Sequence, residues 1–196
     1  MKKQFLSIFV LALLTLVACK ESASSDAEDT DTVETEEVEV KAPDYAAFES
    51  KVATLKAFFQ AHSDEDLETQ KAMLADTLKW SPPMYNGNEW LGKAEYVAAM
   101  ESYHNDYEDI RYTEGIVLSD TLVGGMWSGS AFPQSTATST PDAIRMYGTW
   151  TAKHTASGKE IGVKWFGLAW VSDAGHITQM TEYWDVHGLA AQIAED

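Results

Sequence analysis

The feature that most constrains this chain is a change of hydrophobic period near Asp109. Before it, apolar residues recur at helical spacing; after it, they alternate as in strands. Phe48, Val52, Leu55 and Phe59 place a helix over Tyr45 to about His62, with Pro43-Asp44 opening the folded part and Asp44 as its N-cap. Ser63 reads as the cap of a second helix, with Leu67, Gln70 and Leu74 on one face and Glu65 and Asp66 near its positive end. Thr77–Ser81 reads as a short strand carrying Trp80, stopped by Pro82-Pro83. Met84–Leu91 is a turn-rich, lid-like stretch around Asn86-Gly87. Gly92 precedes a third helix, Lys93 to about Asp106, whose apolar side holds Tyr96, Val97, Met100, Tyr107 and either Tyr103 or His104.

Beyond Asp109 the alternation gives strands at Ile110–Leu118, Leu122–Phe132, Ile144–His154, Ile161–Val171 and His176–Asp185. Gly124-Gly125 suggests a bulge within one of them, and Pro133–Ala143 is a long Ser/Thr-rich loop. Three helices followed by consecutive strands predict an α+β fold. Its architecture is a cone-shaped α+β barrel, with the three N-terminal helices packed in a strongly curved, mostly antiparallel sheet. Trp127, Trp150, Trp165, Phe166, Trp170 and Trp184 all fall in strands. Any one of them can be core, since buried rings dominate core energetics. Seven tryptophans exceed what a small core needs, so part of the set is expected to line a cavity. The candidate pocket residues are Trp80, Tyr85, Tyr107, Trp127, Trp150 and Trp165.

The N-terminus carries an address. Lys2-Lys3 precede an apolar run from Phe5 to Val17, too short for an ordinary membrane span of about 20 residues. Leu16-Val17-Ala18-Cys19 matches a bacterial lipobox, so residues 1–18 are expected to be a signal peptide and Cys19 the lipidated residue. Anchoring in the cell envelope then follows, because several acyl chains on one residue hold stably. Cys19 is the sole cysteine, which leaves no thiol for a disulfide, a nucleophile or a metal. Residues 19–44 form an acidic linker that cannot bury enough apolar surface to offset its ordering entropy.

The remaining domain, 45–196, has 21 acids against 10 bases, a net charge of −11. That excludes nucleic acid, whose phosphates need Lys and Arg. Five histidines show neither a His-x-His nor a His-x-x-x-His pair, so no metal is expected. His176, after a hairpin glycine, is expected to be exposed, and His104 to be a half-buried, hydrogen-bonded imidazole. No dinucleotide, Walker or Gly-x-Ser-x-Gly fingerprint is present, and no cofactor is expected.

The stretch Ile177–Ile193, ITQMTEYWDVHGLAAQI, carries the candidate chemistry. It reads as a strand broken at Gly188, followed by a short closing helix. Residues at i and i+2 share a strand face, so Tyr183 and Asp185 point one way and Glu182 and Trp184 the other. A carboxylate walled by rings is desolvated, its pKa rises, and it becomes fit for acid/base work. Asp185 with Tyr183 and His187 is the candidate catalytic group. Asp185 equally fits a cap of the turn at Gly188. Glu182 reads as facing out or pairing with a lysine.

These residues resemble the SnoaL-like polyketide cyclase family of the nuclear transport factor 2-like superfamily. The resemblance covers roughly 45–193 and is carried by Leu78-Lys79-Trp80 with Pro82, by Gly87 and Gly92, and by Ile177, Glu182, Trp184, Asp185, Gly188, Leu189 and Gln192-Ile193. It implies an Asp of the final strand region acting on an apolar substrate, with Asp185 at the matching position and its face toward the cavity. A helper histidine could be His187, His154 or His104. The scaffold hosts cyclases, isomerases, hydrolases, dehydratases and binders. Three readings stand: a binder of an apolar or aromatic small molecule, an acid/base enzyme using Asp185, and an interaction module docking a protein, a homodimer included, through an open sheet face.

Overall fold

A computed structural model describes residues 45–115, 117–118, 121–122, 127–129 and 143–194. The signal peptide, Cys19, the linker, Gly124-Gly125 and the loop before Ala143 lie outside the described residues.

Helix α1 (Ala46–Ser63) buries Leu55, Phe58, Phe59 and Ala61; of the residues that the periodicity marks, Leu55 and Phe59 are in the core and Phe48 and Val52 pack half-buried against it. Its N-cap is Tyr45, which makes no side-chain capping bond. Helix α2 (Leu67–Met73) is capped by Asp66 and not by Ser63. The reason is local: α1 runs through Ser63, and Glu65 takes a left-handed conformation, φ 56°, to turn the chain. Asp66 then accepts from Thr69 N at 2.9 Å. Strand β1 (Leu74–Ser81) starts three residues before the expected point. Helix α3 (Lys93–Asp106) follows, with Glu95 Oε2 accepting from Gly92 N at 3.0 Å.

The rest is β2 (Tyr107–Glu114), β3 (Val117–Leu118), β4 (Thr121–Leu122), β5 (Trp127–Gly129), β6 (Ile144–His154), β7 (Glu160–Val171) and β8 (Ile177–Tyr183), closed by α4 (Val186–Ile193). The main sheet has the order β1-β8-β7-β6-β2, with β5 on the other half of β6; β3 and β4 pair separately. All its pairs are antiparallel except β1 with β8, which is parallel. This is the open, cone-shaped α+β arrangement that the sequence predicts.

Two irregularities position the site. Between Val171↔Ile177 and Trp170↔Gln179 the β7–β8 register slips by one residue. A bulge of this kind shifts the alternation phase of the bulged strand. Ile177 and Met180 are therefore both buried although three apart, and the inward face continues as Met180, Glu182 and Trp184. The second is Gly167, which faces Glu182 across the ladder. A Cβ there would stand 2.3 Å from the Trp165 ring, so glycine is what lets that indole lie flat across the strand.

The larger core cluster, with Leu55, Phe58, Ile144, Met146, Ile177 and Met180, fills the space between the helices and the sheet. A smaller one joins Tyr107, Ile110, Ala152, Ile161 and Leu189 under α4. Gln192 ties α4 to β7: its Oε1 accepts from Gly162 N at 2.9 Å, and its Nε2 donates to Gly162 O at 3.0 Å.

Candidate functional site: a hollow closed by a buried glutamate

Between the two clusters is a hollow of about 90 Å³, partly open to solvent. A single water needs roughly 10–15 Å³ on a comparable measure, and an apolar cavity of about 150 Å³ admits benzene. The space therefore suits a small ring with modest opening at the mouth. Phe59, Trp150, Trp165 and Trp184 supply aromatic wall, and Met100, Ile161 and Leu189 aliphatic wall.

Glu182 lies on this wall and is 9% exposed. Both neighbouring strands send a tryptophan to it. Trp80 Nε1 of β1 donates to Oε1 at 3.0 Å, and Trp165 Nε1 of β7 donates to Oε2 at 3.0 Å. A carboxylate offers about four acceptor sites. Two are used by the indole donors. Burial pushes the Glu182 carboxyl above its ordinary range, while the indole bonds pull the other way. Burial also holds the Tyr96 and Tyr103 phenols protonated well above the usual range, with the Glu182 charge adding to it. Tyr96 and Tyr103 are both on the pocket wall, where a phenol is a hydrogen-bond donor at neutral pH.

A second polar group sits on the helical side. His62 Nδ1 and His104 Nε2 are 2.8 Å apart, one donating and the other accepting. Burial, with the neighbouring His104 adding to it, brings His62 down to about 3. Gln70 is 1% exposed and lines the same hollow. It is near enough to His62 to oppose that shift, yet neither its Nε2 nor its Oε1 makes a hydrogen bond of proper geometry.

The sequence candidates divide. Tyr107, Trp150 and Trp165 line the hollow. Trp80 does not, but it holds Glu182 from behind. Tyr85 is 80% exposed, at the tip of a loop pinned by the Trp80–Leu91 bridge. Trp127 is in β5, and its side chain lies outside the described residues. Asp185 is exposed and caps α4, accepting from Gly188 N at 2.8 Å. Tyr183 is 59% exposed and its ring meets that of Phe166, which in turn meets Tyr147, on the solvent side of the sheet. His187 is exposed on α4. The face expected to meet the cavity is thus the solvent face, because the β8 bulge inverts the phase. Glu182, expected to face out, is the buried carboxyl. Of the helper histidines, His104 reaches the pocket wall through His62, while His154 bonds Ser157 at 2.8 Å on a hairpin. His176 is exposed, as expected. Among the described residues, no group of three His, Cys, Asp or Glu could hold a metal.

No family model and no curated protein matches the sequence. Solved structures do. An NTF2-like protein from Burkholderia xenovorans is 20% identical with TM-score 0.50, and the match covers 74% of this chain and 97% of that one. The chain has the nuclear transport factor 2-like fold. A protein from Xanthomonas campestris, provisionally assigned as a polyketide cyclase, is 16% identical with TM-score 0.52, covering 74% of this chain and 98% of its own. A Mycobacterium tuberculosis protein solved in complex with estradiol-17β-hemisuccinate is 18% identical with TM-score 0.51, covering 71% and 96%. At these identities the likeness establishes the fold and leaves the chemistry to the site.

Proposed function

We propose that the domain binds an apolar or aromatic small molecule in the hollow, against Glu182, and that Cys19 holds it to the bacterial envelope. The observation that carries the binding reading is the hollow itself: a mostly aromatic wall with one buried carboxyl, fixed by two indoles. Such a pocket, apolar with a few placed polar groups, is the usual form of a small-molecule site. The ligand complex among the structural neighbours supports the same reading. Toluene titrated into the protein should give a saturable change in tryptophan emission, since Trp150, Trp165 and Trp184 line the space. No change up to the solubility of toluene would contradict it.

A second reading, an acid/base enzyme, is favoured by the burial-raised carboxyl of Glu182. It moves the role read for Asp185 to the residue three positions earlier. The anchoring rests on the basic start, apolar run and lipobox before Cys19. Fatty-acid labelling should mark the wild type, and Cys19→Ala should abolish the label. An unlabelled wild type would remove the envelope assignment.

A further inference from the structure

Among the described residues of the pocket wall, Gln70 is the one whose side-chain polar atoms are both buried with no hydrogen bond of proper geometry, His62 being the polar group beside it. Leaving a buried donor or acceptor unmade costs about 1–3 kcal/mol for each group, so native proteins leave few of them. Its neighbours in the chain do not explain it. Leu67, one turn earlier on α2, and Leu74, the first residue of β1, both pack on the core beside it, where a further apolar residue would pack without penalty. The wall also holds no Lys or Arg, so an anionic head would find no counter-charge there. The His62 ring beside Gln70 is held neutral at physiological pH by its burial. What an amide lacks is another group with a donor and an acceptor side by side.

We propose that Gln70 is the polar subsite of the hollow and that it takes a neutral ligand head presenting an adjacent donor and acceptor, a primary carboxamide or a lactam. This deepens the small-molecule reading and rests on it. Such a head pairs with the Gln70 amide through two antiparallel hydrogen bonds, while the aromatic wall takes the ligand's apolar body.

Three probes of similar size separate the alternatives: benzamide, acetophenone, in which a methyl replaces the amide nitrogen, and toluene. Calorimetric titration of the full domain should show benzamide bound about 5- to 10-fold more tightly than acetophenone, the worth of one net hydrogen bond. Gln70→Met keeps the length of the side chain and removes both polar ends. It should erase the benzamide preference, retain toluene, and leave the thermal midpoint equal or higher. Equal binding of benzamide and acetophenone by the wild type would overturn the subsite while toluene binding kept the pocket. A benzamide preference surviving in Gln70→Met would overturn it as well. A lowered midpoint in Gln70→Met would show an amide satisfied within the fold, by buried water for example, and would equally count against it. Binding of none of the three probes would bring down the pocket reading, and the subsite with it.

Discussion

Phe59→Ala is expected to cost about 3–5 kcal/mol of folding stability, the usual range for removing a buried phenylalanine, and to enlarge the hollow. Phe59 is 5% exposed and sits at the centre of the aromatic wall. Its ring lies 4.8 Å from Tyr112, 5.5 Å from Trp150 and 5.3 Å from Trp165, centroid to centroid, edge-on to both indoles. Space already exists on one side of it, so the surrounding rings cannot close over the gap without losing their own contacts. That places the cost toward the upper end of the range. A domain of this size holds roughly 5–15 kcal/mol in total, so the variant should fold but unfold at much lower denaturant. It should also admit naphthalene, which the wild-type space is too small to take without opening. A loss below about 1 kcal/mol in denaturant unfolding would mean that the ring is not packed as described.

Glu182→Gln should change the chemistry of the pocket and the pH dependence of folding, whereas Asp185→Asn should leave the chemistry of the pocket unchanged. Glutamine offers one acceptor oxygen, so one of the two buried indole N–H groups would face an amide N–H. The cost is about 1–3 kcal/mol, offset in part by removing a desolvated charge at neutral pH. If the site turns over a substrate, the rate should fall by roughly 100-fold or more, the scale of a general acid or base.

The pH effect has a definite sign. The folded-state pKa of Glu182 is raised above the ordinary 4.5, so its contribution to stability is full below 4.5 and is lost as pH rises through the folded value. His62 acts in the opposite sense: its folded value of about 3 lies below the ordinary 6.5, so its contribution is full above 6.5 and is lost as pH falls toward 3. From 4.5 upward toward 6.5 the two oppose each other. Removing the carboxyl leaves His62 unopposed, with His104 lowered by burial in the same sense, and stability should rise more steeply with pH across that window. An unchanged profile would mean that Glu182 is not buried as described. Asp185→Asn keeps an N-cap of equal quality and should stay within about 0.5 kcal/mol of the wild type. Were Asp185→Asn the variant that lost turnover, the assignment to Glu182 would fail.

The architecture was legible because each of its signals is local. Phe48, Val52, Leu55 and Phe59 mark one helical face in sequence, and the turns at Thr155–Gly158 and Asp173–Gly175 punctuate the strands. The site was less so, because it depends on phase and on distant partners. Alternation says that Glu182 and Trp184 share a face; it does not say which face is inside. The bulge after Ile177 decides that, and it arises from pairing with Trp170 and Val171 on β7. Two signals pointed inward all the same: Met180 and Trp184 stand on either side of Glu182 at strand spacing. On the helices the corresponding signal is a polar residue inside an apolar row. His62 follows Phe58 and Phe59 by one turn, and Gln70 lies between Leu67 and Leu74. That the Gln70 amide makes no hydrogen bond of proper geometry cannot be read from spacing, because it depends on what α1, α3 and the sheet place around it.

The most direct measurement is a carbon-detected NMR titration of the Glu182 side-chain carboxyl, with and without toluene. A buried carboxyl on a ligand-accessible wall should titrate above 4.5, and filling the hollow should move it higher by excluding water from around it. Its titration should also shift the Trp80 and Trp165 indole N–H resonances in step, since both donate to it. A midpoint at or below 4.5, indifferent to toluene and unaccompanied by the indole signals, would contradict the account.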